Sequence, residues 1–513
     1  MGVLFSCCLG FFLLVFGIIF YKIWLLPMYV QSMMRSQGIK GPSYKFLFGN
    51  NKEIFNMRKK SMSTPMDLSD HVIFPRVLPH THEWITLYGK NFVMWDGLRP
   101  QLIVTEPELI KEIVNDKEGD FPKMKRDIFL RNLVGDGLVM ADGEKWIKHR
   151  RIANHAFNGE SLKNMLPEMV ESVESMIKKW RNHEGREIEV YSEFRDLSSE
   201  IISRTAFGSS YLEGKNIFQM LTQLGYLISK NIYKPSFFIT RKYFKTADDK
   251  QSNEIEKSLR ESIMSIIKKR EDQVMAGRTD SYGSDFLGSL LKVHNDQDIK
   301  NRISVDDIVD ECKTFYLAGH ETLSSALSWT VFLLSIYTDW QDKAREEILQ
   351  LFGHEKPKPE CNARLKITTM IINETLRLYS PIALLARRVR NNKVKLGRLT
   401  LPGEMDVLIP IYALHGNQEV WGTDAHLFKP ERFSEGVTKA TNYNTTAYLP
   451  FGGGPRICVG LNFATNELKI ALSMILQHYK FTLSPNYIHT PFLVLTTQPE
   501  QGIQIIISPL KHY

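Results

Sequence analysis

The chain has 513 residues, 43% of them hydrophobic and 24% charged, an ordinary globular balance that excludes a disordered or fibrous chain and leaves ample material for a core. Its 65 basic and 57 acidic residues leave a formal charge of +8, mild enough to read as a solvated surface rather than a nucleic-acid footprint, while an acidic protein partner or an anionic membrane stays open. Five cysteines without a C-x-x-C exclude a disulfide scaffold, a zinc ribbon, a thioredoxin-type pair and a C-x-x-C-H attachment, so any working sulfur acts singly.

From Val3 to Tyr21 nineteen residues carry no charge, and continued past Lys22 to Leu26 the run can cross a hydrocarbon core of roughly 30 Å. No small-x-small cleavage site and no basic leader mark it as a removed signal peptide. Lys22, Arg35, Lys40 and Lys45 follow with no acid before Glu53, which places the N-terminus in the lumen and the body in the cytosol. Residues 3–26 thus read as a single-pass anchor, with Cys7 and Cys8 as apolar filler. Residues 27–45, with Gly38 and Gly41-Pro42, read as a hinge, and 46–513 as the body. On a cytosolic body the sequons at Asn373 and Asn444 go unused.

Alternation near Gln101–Thr105 predicts a strand. Trp146 and Arg150 then stand four apart on a helical segment, a spacing that suits a surface cation–π pair. Helix-period patterns cover Leu162–Lys179 and Asn253–Ala276, and another helix runs from Ser304 to about Ser335. Within it, Ala318-Gly319-His320-Glu321-Thr322 begins like H-E-x-x-H, but Ser324 stands where the second histidine belongs, so zinc is excluded. Small Ala318 and Gly319 leave a gap for a flat ligand, and Glu321 followed by Thr322 can relay protons beside it. Glu374 and Arg377 share one helix face among apolar neighbours, and Arg432 in Pro430-Glu431-Arg432-Phe433 is a candidate third member for a buried pair that needs further partners. Strands are also expected near Val394–Leu401 and Gly502–Ser508. The Gly/Pro-punctuated loop from His415 to Gly454 is of a length that usually serves a function. The fold class is therefore mainly α with a small β-sheet part and no doubly wound alternation.

The most informative stretch is Phe451-Gly452-Gly453-Gly454-Pro455-Arg456-Ile457-Cys458-Val459-Gly460. It is not a phosphate loop, having neither Gly-Lys-Ser/Thr nor a third spaced glycine. A buried structural cysteine is the bland alternative. The glycines, however, let backbone N–H groups approach the sulfur, and a helix over Leu461–Gln477 puts Cys458 at a positive N-terminus. Phe451 can shield one side and Arg456 can meet an anion. A lone thiolate in such a bed suits an axial haem-iron ligand.

This decapeptide resembles, at every fixed position, the haem-binding signature Phe-x-x-Gly-x-Arg-x-Cys-x-Gly of the cytochrome P-450 family. The other motifs resemble family segments in the family's order. The resemblance implies Cys458 as axial ligand of haem b, and Trp146, Arg150 and Arg456 at its propionates. Arg388 is a further propionate candidate, with Arg387 competing in register. It also implies Glu374, Arg377 and Arg432 as a structural triad behind the haem, and Thr322 with Glu321 as the proton-delivering pair. Leu323 departs from the motif's usual last alcohol. The chain most resembles plant microsomal enzymes of clan 72, through Cys458-x-Gly460-x-Asn462-Phe463-Ala464 and the tail Leu483–Pro491. One hinge proline, and Lys234-Pro235-Ser236-Phe237 without Pro-Gly, depart from that group.

Family pocket positions fall on Ala318 and on Pro381, Ile382, Ala383, Leu384 and Leu385, with Phe492–Leu495 also apolar. Such a cage favours a bulky lipophile. The implied activity is NADPH-dependent monooxygenation of a steroid or triterpenoid of specialised metabolism at the endoplasmic reticulum membrane. Hormone hydroxylation is the alternative, and a reductase-independent hydroperoxide rearrangement or a non-enzymatic haem protein the remote ones. No nicotinamide fingerprint is present, so a separate membrane reductase must supply electrons, docking on a basic face where Lys145, Lys148 and His149 are candidates.

Overall fold

The computed structural model describes residues 2–124, 128–209, 211–231, 245–279, 281–358 and 362–510. Cys361 and the segment Lys234–Phe237 lie outside the described residues.

The chain enters as one helical rod: α1 (Gly2–Phe20), a π-helical turn (Tyr21–Leu25) and α2 (Leu26–Ser36). Nearly every described side chain of α1 is exposed, as suits a segment whose solvent is lipid, and the span Leu4–Ser36 holds the one apolar window that passes as a membrane crossing among the described residues. The rod does not loosen at residue 27. Val30 and Met34 of α2 are buried in a core cluster, and the Tyr44 hydroxyl donates to the Ile23 carbonyl at 2.7 Å. The stretch expected as a hinge is thus helical to Ser36, because α2 is amphipathic and has an apolar face to bury.

The body is built on helices. The central one is α7 (Val305–Ile336), preceded by α3 (Gly143–Ala156), α4 (Gly159–Trp180), α5 (Val190–Phe207) and α6 (Ala247–Met275), and followed by α8 (Lys366–Leu378) and α9 (Leu461–His478). A capping box starts α7: Ser304 Oγ accepts from the Asp307 amide at 3.0 Å while the Asp307 carboxylate accepts from the Ser304 amide at 2.9 Å. From there α7 runs through the main core cluster, with α5 on one side and α9 beyond. All the helices expected from periodicity are present, most within a residue or two of their expected ends; α6 begins six residues earlier because Thr246 and Asp249 form a second capping box.

The β part forms small sheets. One has the order β1 (Asn91–Asp96), β2 (Arg99–Val104), β7 (Asp406–Pro410), β4 (Leu384–Arg388), with β2 and β7 parallel and the outer pairs antiparallel. The register sets Arg387 opposite Val407 and Arg388 opposite Asp406. β3 (Glu187–Glu189), β11 (Gln504–Pro509) and β8 (Tyr479–Leu483) form a second sheet. The run Val394–Leu401 is a hairpin, β5 (Val394–Leu396) and β6 (Leu399–Leu401), because Gly397 at φ 53° turns it. β9 (Pro491–Leu493) pairs with β10 (Thr497–Pro499). The long loop after His415 is punctuated by short helical turns at Gln418–Trp421, Pro430–Phe433 and Val437–Ala440. Mainly helical architecture with small sheets is what the pattern predicts.

Candidate active site

Cys458 lies between a 3-10 turn (Gly454–Arg456) and the start of α9. Its amide donates to the Phe451 carbonyl at 2.9 Å, closing the loop on itself. Gly454 has φ 64°, and a Cβ there would stand 2.0 Å from the Val114 carbonyl oxygen, so only glycine lets the loop lie this close to its support. Arg150 donates to the Ile457 carbonyl at 2.6 Å. Phe451 is half-buried against the main core.

Cys458 is exposed as a residue, although protein surrounds most of its thiol. Burial raises the Cys458 thiol above its usual value, opposed by the Gly460 N–H and the Arg150 charge. The glycine bed therefore assists the thiolate but does not create it in the bare protein. A bound metal ion, which deprotonates a coordinating thiol outright, would.

α7 packs against α9, just before whose start Cys458 stands. From Glu311 to Ser335 every residue is buried except Ala318, Gly319 and Thr322, spaced to share one face. Thr322 Oγ1 donates to the Ala318 carbonyl at 2.7 Å. Gly319 serves packing more than the gap: a Cβ there would meet Ile202 of α5 at 2.7 Å. Glu321 turns the other way. Its carboxylate lies 3.6 Å from Arg195 Nη2 and 3.5 Å from His320 Nδ1, and accepts from Thr496 Oγ1 at 3.5 Å. Burial raises the Glu321 carboxyl above the usual range, against the pull of Arg195. Arg195, Thr496 and His320 were not legible as partners in the sequence; the Arg195 guanidinium arrives from α5, with no spacing signal.

The cations around the loop divide. The Arg456 guanidinium stacks over Trp146 at 4.6 Å, donates to the Ala141 carbonyl at 2.9 Å and pairs with Asp142 at 2.6 Å. Trp146 therefore receives Arg456 rather than Arg150, which stands four residues on along the same helix. Arg388 is held by Asp406, with Nε at 2.9 Å and Nη2 at 2.8 Å, and by Glu404 at 3.4 Å. Arg387 is the buried one, 5% exposed, and burial together with the neighbouring Arg456 charge lowers its guanidinium to about 10. Its one described hydrogen bond is to its own Ala386 carbonyl. Strand parity decides this: neighbours on β4 face opposite sides, and the register gives Arg388 to Asp406.

Behind the loop, Glu374 and Arg377 form a two-pronged pair at 2.7 Å on each arm, both side chains at most 1% exposed. Arg377 also donates to the His415 and Ala425 carbonyls at 2.9 and 2.7 Å, and Glu374 accepts from the Lys429 amide at 2.9 Å. Arg432 completes the set at 3.5 Å from Glu374, held by Asp424 at 2.7 Å. His415 then joins the triad to the cysteine loop: its Nε2 accepts from the Leu449 amide at 3.1 Å, and the Leu449 carbonyl accepts from the Gly452 amide at 3.0 Å.

Of the apolar candidates, Ile382, Leu384 and Leu385 are partly accessible and Ala383 is buried. Leu384, with Leu493 and Leu495, packs against the main core, while Leu385 packs against the sheet-side cluster. The basic docking trio fares less well. His149 is 3% exposed and paired with Glu311, so it cannot meet a partner; Lys145 is engaged by Asp307 at 2.7 Å, and Lys148 donates to the Lys300 and Arg302 carbonyls.

The donor set suits a flat, dianionic iron porphyrin: an exposed cysteine, an accessible stretch of α7 at Ala318 and Thr322, and a buried Arg387 beside Arg456 that no carboxylate hydrogen-bonds among the described residues. Helices, small sheets and a thiol loop of this kind define a haem-thiolate protein. A sequence profile described as Cytochrome P450 matches residues 79–506, and the chain belongs to that family. It is an oxidoreductase of the monooxygenase type and of the plant clan 72 kind. It is 54% identical over 506 residues to "Cytochrome P450 CYP749A22" of Panax ginseng, covering 98% of this chain and 96% of that one. It is 45% identical to "Cytochrome P450 716A67" of Medicago truncatula, over 95% and 94% of the two chains. To "11-oxo-beta-amyrin 30-oxidase" of Glycyrrhiza uralensis it is 41% identical, again over 95% and 94%.

Proposed function

We propose that this enzyme oxidises a triterpenoid or steroid skeleton in specialised metabolism, from the cytosolic face of the endoplasmic reticulum membrane, with electrons from NADPH through a separate reductase. The observation that carries the substrate class is the partly accessible apolar set Ile382, Leu384, Leu385, Leu493 and Leu495. Two relatives named for oxidation of 11-oxo-beta-amyrin, 41% and 40% identical, support it. The exposed apolar α1 gives such a lipid-soluble substrate and the enzyme a common phase.

In this reading Cys458 holds the haem iron, Arg387, Arg456 and Trp146 hold the propionate edge, and Arg150 fixes the loop from outside. Haem bound there supplies oxygen activation. The chain's own residues do the rest. Glu374, Arg377 and Arg432 hold the meander behind the loop. Ala318 leaves room at the α7 face, and Thr322, with its hydroxyl free to exchange the Ala318 carbonyl for a new acceptor, delivers the proton there. Glu321, whose raised carboxyl keeps a proton more readily than usual, recharges Thr322 by leaving Arg195.

The test is co-expression of the full chain with a plant reductase, feeding sterols, triterpenes and gibberellins in parallel. Oxygenated triterpene or sterol products support the proposal; products from gibberellins alone refute the substrate class.

A further inference from the structure

A chain of rings in the core has no part in the reading above. Tyr337, His71, Tyr379, His489 and Tyr487 alternate phenol and imidazole, joined hydroxyl to ring nitrogen at 2.8, 3.0, 3.2 and 2.9 Å in turn. Tyr379 is fully buried, His71 and His489 are 2% exposed, and Tyr337, at the C-terminal end of α7, is half-buried. Trp329 stacks on Tyr379 with ring centres 4.5 Å apart and planes at 22°. It sits on α7 seven residues beyond Thr322, about 10 Å along the axis.

Burial lowers His71 to about 4 and His489 to about 3, so both rings are neutral. A neutral imidazole donates at one nitrogen and accepts at the other, so each ring takes a hydrogen bond from one phenol and gives one to the next. The five groups therefore donate in one common direction, toward half-buried Tyr337 or toward Tyr487 according to the tautomers, and the charges around the two histidines favour Tyr337. The two histidines differ in their ability to become cations. Asp70 is the strongest charged neighbour of His71 and outweighs Arg377 and His426 taken singly, whereas His489 faces Arg76 and His71. A phenol gives up an electron more easily when its proton can leave with it. Tyr379 has both exits, an indole face for the electron and His71 Nδ1 for the proton.

We propose that Tyr379 is a redox-active tyrosine, oxidised through Trp329 with His71 as its proton acceptor, that drains oxidising equivalents from the accessible face of α7 at Thr322 when no substrate consumes them. The oxidant is of the one-electron class that oxygen activation at that face supplies, and it is reduced by one electron. The Tyr379 O–H bond breaks, an N–H bond forms at His71 Nδ1, and Nε2–H stays bonded to the Tyr337 oxygen. A thiol reductant returns the electron and His71 returns the proton. The proposal rests on the monooxygenase chemistry of the family and goes beyond the substrate reading.

The experiment uses the full-length, haem-loaded, substrate-free chain, mixed with peracetic acid, rapidly frozen and read by electron paramagnetic resonance. The carbon monoxide spectrum of each reduced sample is taken first, so failure of the haem site is seen separately. The expected result is a neutral tyrosyl radical coupled to a proton that exchanges in D2O. The signal is lost in Tyr379→Phe, kept in Tyr487→Phe and shifted in its g-values in His71→Gln. The same tyrosyl signal in Tyr379→Phe, or no tyrosyl signal in the unmodified chain, overturns the proposal. If Tyr379→Phe does not fold, the unmodified chain still decides it: a tyrosyl radical without an exchangeable proton is incompatible with His71 as acceptor.

Discussion

Arg387 and Arg388 are adjacent in the chain and opposite in consequence. Arg388→Leu leaves the carboxylate of Asp406, 1% exposed, without its described cation, and should cost roughly 2–4 kcal/mol in urea unfolding. Arg387→Leu removes a buried cation repelled by Arg456, so the haem-free protein should melt no lower than wild type while its haem dissociates faster. Haem loss to apomyoglobin measures the second effect, and unchanged retention in Arg387→Leu would contradict the propionate role. The decapeptide made its own residues legible because their chemistry is local; the parity of β4 was not, since it depends on a strand eighteen residues downstream. Glu467 makes a second case. It is 1% exposed, bonded to Ser198 at 2.9 Å, and burial raises its carboxyl well above the usual range. The folded chain therefore holds a proton that the unfolded chain releases above the ordinary carboxylate pKa, and stability falls as pH rises from there toward the folded value. Glu467→Gln should remove that fall, so its melting-temperature advantage over wild type should grow with pH and then level off.

The cysteine loop is an element held by what lies behind it. Gly454→Ala forces a Cβ onto the Val114 carbonyl at positive φ, and should cost roughly 2–4 kcal/mol from strain and overpacking together, read from a denaturation midpoint. Glu374→Ala leaves the Arg377 guanidinium buried and unpaired, about 3–5 kcal/mol, and should also loosen the cysteine loop through His415 and Leu449. Hydrogen exchange over residues 449–460 would show that loosening, and protection unchanged in a folded Glu374→Ala would contradict the link. The triad was legible as spacing plus apolar neighbours. Its dependence on the carbonyls of His415, Ala425 and Leu427 was not, because main-chain acceptors leave no trace in residue type. The same holds for α2, whose short apolar stripe between Leu26 and Ser36 was hidden beside hinge glycines.

The whole molecule joins an exposed apolar N-terminal helix, long enough to cross a membrane, to a helical body. The helices were readable from 3.6-residue periodicity, and the long-range contacts of Arg195 or Thr496 with Glu321 were not, since nothing in a one-dimensional pattern brings α5 and the β9–β10 hairpin to α7. Deleting residues 2–21 should move the protein from alkaline-washed membranes to the supernatant, while leaving Tyr44 without a membrane-fixed partner turn. The proposed activity depends on a single iron–sulfur bond, the one Cys458 would make. The most direct measurement is the carbon monoxide difference spectrum of the reduced, full-length protein beside Cys458→Ser. A thiolate-type Soret band in the wild type that vanishes in the variant, together with turnover, is the predicted result. A wild type without that band, or a serine variant that keeps its turnover, would contradict the account.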